Sequence, residues 1–154
     1  MPPKPAEHMD VRVLEEQALI ALVQASARAA TASDAVVRSR GLSPSQYNVL
    51  RILHVAGEEG LTRSEISERM VTRDPDMTRL LKGLESMGLV GTWRSEVDGR
   101  QRISAVTPSG AALLLELNPQ VTRAAQRSLG HLSEQRLKDL IELLTELSSG
   151  ASDA

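Results

Sequence analysis

Four side chains that suit contact with nucleic acid fall on one side of a helix predicted over residues 74–87. At about 100° per residue, Arg79, Lys82 and Ser86 lie together and Thr78 lies on their flank. The opposite side is apolar and is predicted to be core: Met77, Leu80, Leu81, Leu84 and Met87. The helix therefore has one buried face and one cationic, hydroxyl-bearing face.

Such a face matches the chemistry of a DNA groove. The major groove is about 12 Å wide and admits a helix, so that Arg79 could bond a guanine edge and Thr78 could touch a base or a thymine methyl. Lys82 and Ser86 suit phosphate oxygens, which position a protein without specifying a sequence. An ordinary solvated helix face remains the alternative, because Arg and Lys are common on any surface.

A second cationic group surrounds a predicted hairpin loop. Asp98-Gly99 is a strong turn signal between strands predicted at 89–93 and 101–106. The arginines beside the tip are Arg94, Arg100 and Arg102. An arginine at such a tip can enter the minor groove, and Asp98 is expected to hold Arg100 in one rotamer through an ion pair. The alternative is a charged hairpin that avoids edge-to-edge aggregation.

Helix caps indicate the elements that position these residues. Ser43, Thr62 and Asp74 are predicted to begin three consecutive helices, and Gln46 and Glu65 complete capping boxes at the first two. The middle helix is short and a three-residue linker is expected after it. A short helix, a tight turn and a longer helix form the helix-turn-helix arrangement.

Long helices are predicted on both sides of this central lobe, which is assigned to residues 43–107. Residues 10–40 are rich in alanine, and residues 108–148 end in a helix with a narrow leucine stripe. The fold class is therefore mainly α with a small β-hairpin wing, in one domain over 10–148. The flanking segments, residues 1–9 and 149–154, are expected to be disordered or frayed. The outer helices are predicted to join two copies; an intramolecular bundle is the alternative.

Composition excludes several classes of protein. The chain has 154 residues and no cysteine, which excludes disulfides, thiolate metal sites and cysteine nucleophiles. His8, His54 and His131 have no metal-ligand spacing, no serine lies in a nucleophile-elbow pattern, and no glycine-rich loop suits a phosphate. We therefore expect no metal, no cofactor and no enzymatic activity. No apolar run could span a membrane and no secretory signal is recognisable, so a cytoplasmic location is expected.

The net charge of −2 argues against a generally basic nucleic-acid coat, so that binding must depend on a local surface. Between Thr62 and Arg102 there are eight Lys or Arg and seven Asp or Glu residues. The regional charge is therefore nearly balanced, and only the positions of the cations are informative.

Several motifs in the central lobe resemble the MarR family of winged helix-turn-helix regulators. The resemblance is carried by the runs 73–81, 84–90, 98–102 and 106–110, and the helix order agrees over about residues 10 to 148. It implies a homodimer whose two recognition helices lie about 34–36 Å apart on a pseudo-palindromic operator in double-stranded DNA. It also adds Arg73 and Asp76 to the expected DNA-binding residues. Gly99 and the pair Gly91-Thr92 depart from the family pattern, which lowers the wing charge and predicts a modest affinity.

The sequence thus predicts a sequence-specific regulator, a repressor by preference, with a winged-helix protein-interaction module as the alternative. Tyr47 and Trp93 are predicted to be packing residues, with contact to a small aromatic or anionic effector as the second interpretation. The resemblance implies an effector of this kind, but no residue in the sequence identifies the compound.

Overall fold

Six helices and three strands form the part of the chain described by the structure, a computed structural model covering residues 11–150. The helices are α1 (Val11–Arg38), α2 (Pro44–Ala56), α3 (Arg63–Arg69), α4 (Met77–Ser86), α5 (Pro108–Leu129) and α6 (Glu134–Gly150). The strands are β1 (Leu61–Thr62), β2 (Val90–Arg94) and β3 (Arg102–Val106). The predicted N-terminal tail, residues 1–9, lies outside the described residues, as do residues 151–154; Ser149 and Gly150 belong to α6.

Both predicted capping boxes are confirmed. At the start of α2, the Ser43 hydroxyl accepts the Gln46 amide at 3.1 Å, and the Gln46 side chain accepts the Ser43 amide at 2.9 Å. At the start of α3, the Glu65 carboxylate accepts the Thr62 amide and the Thr62 hydroxyl, each at 2.8 Å. These hydrogen bonds favour the ionised carboxylate and lower the pKa of Glu65. The caps fix where the first two helices of the central lobe begin.

The predicted start of α4 is wrong, because the helix begins two residues later than expected. The N-cap is Asp76, whose carboxylate accepts the Arg79 amide at 3.0 Å, and not Asp74. Asp74 instead accepts the Asp76 amide at 2.9 Å, which closes a turn that contains Pro75. Asp74 and Asp76 both satisfy the rule for an N-cap residue, so the pattern alone did not separate them. The segment between α3 and α4 is correspondingly longer than the predicted three residues.

The predicted hairpin is confirmed, and a third strand joins it. β3 lies between β1 and β2 and is antiparallel to both. Leu61 pairs with Ser104, and Thr92 pairs with the same residue from the other side. Sequence periodicity did not reveal β1, because a strand of two residues has no period to detect. The extra strand anchors the hairpin to the start of α3.

The buried core lies in a compact unit formed by Ser33–Ala124. Five helices, α1 to α5, contribute almost fully buried side chains to it, including Val37, Leu50, Leu53, Ile66, Leu84, Leu114 and Leu117. The predicted apolar side of α4 is buried at Met77, Leu80, Leu81 and Leu84. The assignment of Met87 to this side is wrong, because the side chain is 43% exposed at the C-cap, where the helix ends.

A second compact unit contains residues 11–32 and 125–150, so the unit boundaries fall inside α1 and α5. No residue of α6 is buried in the single chain. Its exposed apolar side chains are Ile141, Leu143, Leu144 and Leu147, and those of α1 are Val11, Val13, Leu14, Leu19, Ile20 and Val23. None of the described helices is long and apolar enough to cross a bilayer.

A tight junction connects the end of α4 to the start of α5. The Thr107 amide donates to the Leu89 carbonyl at 3.0 Å, and the Thr107 hydroxyl donates to the Gly88 carbonyl at 2.6 Å. The same hydroxyl accepts the Gly110 amide at 3.1 Å and so caps α5. A Cβ on Gly110 would lie 2.2 Å from the Leu89 carbonyl oxygen, so the two segments meet without room for a side chain. Thr107 therefore caps one helix and holds the end of another.

Candidate DNA-binding surface

The polar face of α4 is exposed along its whole length. Thr78, Arg79, Lys82 and Ser86 are all exposed, opposite the four buried apolar residues. Among the described residues, neither Arg79 nor Lys82 forms an ion pair. The Ser86 hydroxyl donates to the Gly83 carbonyl at 2.7 Å, so it is partly engaged within its own helix. Two unneutralised cations therefore face solvent on one side of a rigidly packed helix.

Arg63, the first residue of α3, reaches the same surface. Its Nη1 donates to the Thr78 hydroxyl at 2.6 Å and connects the two helices of the helix-turn-helix. The sequence predicted no role for Arg63 beyond its charge. Its position immediately after the Thr62 cap was the available signal, because the first helix of such motifs crosses the DNA backbone.

The wing, formed by β2, β3 and the loop 95–101, carries three exposed arginines. Arg94 and Arg102 are cross-strand partners at its outer end. Arg100 lies in a turn closed by the Gln101 amide, which donates to the Asp98 carbonyl at 2.8 Å. The predicted tip at Asp98-Gly99 is therefore confirmed as a turn. None of the three arginines forms an ion pair with another described residue.

The prediction of an ion pair between Asp98 and the Arg100 guanidinium is wrong. The Asp98 carboxylate accepts the backbone amide of Arg100 at 3.0 Å, and no salt bridge joins the two side chains in residues 11–150. A separation of two residues in a tight turn brings the carboxylate to the local amide first, as in an Asx turn. Asp98 shapes the loop, and the Arg100 side chain is left free for other contacts.

A cleft of about 540 Å³ separates α4 from the wing. Its lining residues come from α3, α4, the wing and the residues just before them: Thr62, Arg63, Ser64, Thr78, Leu81, Lys82, Glu85, Thr92, Arg100, Gln101, Arg102 and Ser104. The lining includes four cations and a single carboxylate, Glu85, which is hydrogen-bonded to Thr92. The net charge of the lining is positive, although the chain as a whole is acidic.

The cleft brings together only some of the predicted residues. Thr78, Lys82, Arg100 and Arg102 line it. The other predicted residues lie on the exposed surface outside its lining: Arg73, Asp76, Arg79, Ser86, Arg94 and Asp98. Asp76 and Asp98 have the backbone contacts described above. Arg63 and Gln101 line the cleft and were missed, because tertiary packing brings them there.

Tyr47 and Trp93 lie on different elements, and neither lines this cleft. Tyr47 is 9% exposed, its hydroxyl donates to the Asn118 side chain at 3.2 Å, and Arg51 lies 5.9 Å from its ring centroid. Burial raises the pKa of the Tyr47 phenol, and the nearby charge of Arg51 opposes this effect. Trp93 is 42% exposed on β2, opposite Ile103. Tyr47 is thus a packed core residue, whereas the side chain of Trp93 is partly exposed on the surface of the wing.

We find no candidate metal-binding site in the part of the chain that the structure describes. No cluster of three or more His, Cys, Asp or Glu side chains there could hold a metal ion.

Comparison with known proteins identifies similar sequences. A sequence model of the MarR family matches residues 40–101. An uncharacterised helix-turn-helix transcriptional regulator of Mycobacterium bovis is 31% identical over 115 residues, which cover 75% of this chain and 73% of that protein. The homoprotocatechuate degradative operon repressor of Escherichia coli is 25% identical over 133 residues, covering 86% of this chain and 88% of the repressor.

A solved structure has the same fold. The MepR protein of Staphylococcus aureus, in a crystal structure of its complex with DNA, matches with a TM-score of 0.73 and 21% identity. The match covers 87% of this chain and 96% of that one.

Proposed function

Since the chain belongs to the MarR family of DNA-binding transcriptional regulators, we propose that it is a homodimeric repressor of a pseudo-palindromic operator. The observation that carries the proposal is the surface formed by α4 and the wing. Exposed, unpaired cations of both elements face solvent there, and four cations line the cleft between them. A repressor of this kind works where the chromosome lies, which in a bacterial cell is the cytoplasm.

The two elements have different tasks in this proposal. Arg79 and Thr78 read base edges in the major groove, with Lys82 and Ser86 on phosphate oxygens. Arg100, assisted by Arg94 or Arg102, enters the adjacent minor groove. Because the net charge of the chain is −2, long-range attraction to DNA is weak and this local surface must provide the affinity.

A second copy of the chain accounts for the exposed apolar side chains of α1 and α6. Leu19 is 61% exposed, Ile141 is 64% exposed and Leu147 is 57% exposed in the single chain. Exposed apolar side chains in such number on two helices are typical of a surface that binds another protein. Pairing would place two recognition helices about one turn of DNA apart, which is what a pseudo-palindrome requires.

Selection of bound duplexes from a random DNA pool tests the proposal. We expect enrichment of an inverted repeat whose half-site centres are separated by about 10 base pairs. Light scattering on the same protein should give twice the mass of 16.7 kDa. Binding that is blind to sequence, or no binding at low salt, would contradict the repressor and favour the protein-interaction module.

Release by a small aromatic or anionic effector is a further part of the proposal. Its support is the similarity to a repressor of an operon that degrades homoprotocatechuate, an aromatic acid. Buried Tyr47 and half-exposed Trp93 are the candidates for contact with it. Repeating the titration of the selected duplex with benzoate, salicylate and homoprotocatechuate tests this part separately, since failure to release leaves the DNA-binding result unaffected.

A further inference from the structure

Three side chains form a hydrogen-bonded chain between α4 and the wing. The Thr92 hydroxyl is hydrogen-bonded to Oε1 of Glu85, and the Thr92 hydroxyl oxygen also lies 3.1 Å from the Ser104 hydroxyl oxygen. A hydroxyl has one proton to donate, and a carboxylate can only accept. The Thr92 hydroxyl therefore donates its hydrogen bond to Glu85, and the Ser104 hydroxyl donates its hydrogen bond to Thr92. The donors and acceptors are thus ordered from the centre of the sheet towards the carboxylate on α4.

This row of hydrogen bonds begins at the buried hydroxyl of Ser104. Ser104 is 2% exposed on the central strand, and Thr92 is its cross-strand partner on the outer strand. A buried hydroxyl that lacks a hydrogen-bond partner destabilises the folded protein. Glu85 supplies the final acceptor of the chain, and charge-assisted hydrogen bonds are the stronger kind. The hydrogen bond between Ser104 and Thr92 lies within the sheet, whereas the hydrogen bond from Thr92 to Glu85 connects the sheet to α4.

We propose that Glu85 is a positioning residue that fixes the orientation of the wing relative to α4. Through Thr92 it holds Arg100 and Arg102 opposite Lys82 across the cleft, so that both grooves are met by one preformed surface. The inference rests on the proposed DNA-binding function. It is distinct from any contact between Glu85 and DNA, because a carboxylate on the cleft wall repels phosphate.

Repulsion and positioning predict opposite results when Glu85 is replaced. The measurement is a fluorescence titration of the selected duplex and of the same duplex with scrambled half-sites. Glu85→Gln keeps an oxygen acceptor for Thr92 and loses the charge, so its affinity for the selected duplex should equal or exceed that of the parent. Glu85→Ala and Thr92→Val remove the contact and should each weaken that affinity about ten-fold, with no loss on the scrambled duplex.

Glu96→Ala is the matched control, because Glu96 is an exposed carboxylate of the wing with no hydrogen bond in the described structure. Its removal should tighten binding to both duplexes slightly. If Glu85→Ala behaves like Glu96→Ala and Thr92→Val binds like the parent, Glu85 acts only through its charge and the proposal is overturned.

A readout without DNA separates this inference from the proposed function. Trp93 is the single tryptophan of the chain and follows Thr92 on β2. In the free protein, the time-resolved fluorescence anisotropy of Trp93 should show faster local motion in Glu85→Ala and Thr92→Val than in the parent or Glu85→Gln. Equal motion in all four proteins would contradict the positioning role even if the duplex is bound normally. Thermal unfolding confirms that each variant is folded before either measurement.

Discussion

The Arg63 guanidinium donates a 2.6 Å hydrogen bond to the Thr78 hydroxyl, between the first residue of α3 and the first turn of α4. A threonine hydroxyl can accept hydrogen bonds and can also donate one. Because the Thr78 oxygen accepts the hydrogen bond from Arg63, the Thr78 hydroxyl can still donate a hydrogen bond to a group outside the protein. We therefore expect Thr78 to favour base edges that accept, such as guanine N7 or thymine O4.

A double-mutant cycle tests whether Arg63 and Thr78 act as a pair on DNA. Arg63→Ala and Thr78→Val should each weaken binding to the selected duplex, and the double variant should lose less than the sum. The expected coupling is about 0.5–3 kcal/mol, as for residues in contact. Arg63→Ala combined with Arg94→Ala is the control and should be additive, since Arg94 lies outside the cleft lining. Additivity in both cycles would mean that the hydrogen bond is irrelevant to binding.

Arg79 is expected to determine sequence preference rather than general affinity. Arg79→Ala should weaken binding to the selected duplex by about 1–3 kcal/mol and relax the preference at one base pair per half-site. Binding to a scrambled duplex should change much less. Arg123→Ala, an exposed arginine of α5, provides the control for loss of one charge. An equal loss on both duplexes would place Arg79 on phosphate instead.

Arg100 should contribute electrostatically at the wing. Arg100→Ala should lower the affinity and reduce the slope of log K against log salt by about 1, because one fewer phosphate is neutralised. The measurement is a titration of the selected duplex between 50 and 200 mM salt, about the range in which such slopes are resolved. A slope identical to that of the parent protein would show that the Arg100 side chain does not contact phosphate.

Asp76 should contribute more than Asp74 to the stability of α4. Asp76→Ala removes the acceptor of the Arg79 amide and should lower the free energy of unfolding by about 1 kcal/mol. Asp76→Asn keeps a side-chain oxygen and should be close to the parent. Asp74→Ala breaks only the turn that precedes the helix and should cost less. Urea unfolding followed by circular dichroism decides the order; a larger loss in Asp74→Ala would restore Asp74 as the cap.

Gly110 should not tolerate a methyl group. Its Cβ would lie 2.2 Å from the Leu89 carbonyl oxygen and 2.7 Å from Cγ2 of Val106, so Gly110→Ala should destabilise the protein by about 1–3 kcal/mol. Gly99→Ala places its methyl group in open space on the wing and should stay within about 0.5 kcal/mol of the parent. Similar melting temperatures for the two variants would mean that the junction at Thr107 adapts easily.

The sequence predicted those parts of the fold that are encoded locally. Capping boxes at Ser43 and Thr62 depend on residues three positions apart, and the hairpin depends on Asp98-Gly99 between two apolar strands. The four buried apolar residues of α4 followed from helical periodicity. Errors arose where two neighbouring residues satisfied the same rule, as Asp74 and Asp76 did, or where a helix ended, as at Met87.

Features that depend on distant segments were not predictable. β1 forms because Leu61 meets Ser104 across more than forty residues, and its two residues have no pattern of their own. Arg63 and Gln101 reach the cleft through the packing of α3 and the sheet. The role of Glu85 could not be predicted, since its hydrogen bond to Thr92 depends on where the hairpin returns.

The junction at Thr107 has a mechanical consequence. The last turn of α4 and the first turn of α5 cannot rotate against each other without breaking the hydrogen bonds of Thr107 to Gly88 and Leu89. No side chain at Gly110 is present to act as a compliant spacer. A torque applied to the first turn of α5 is therefore transmitted directly to the end of α4, the helix whose exposed face carries Arg79.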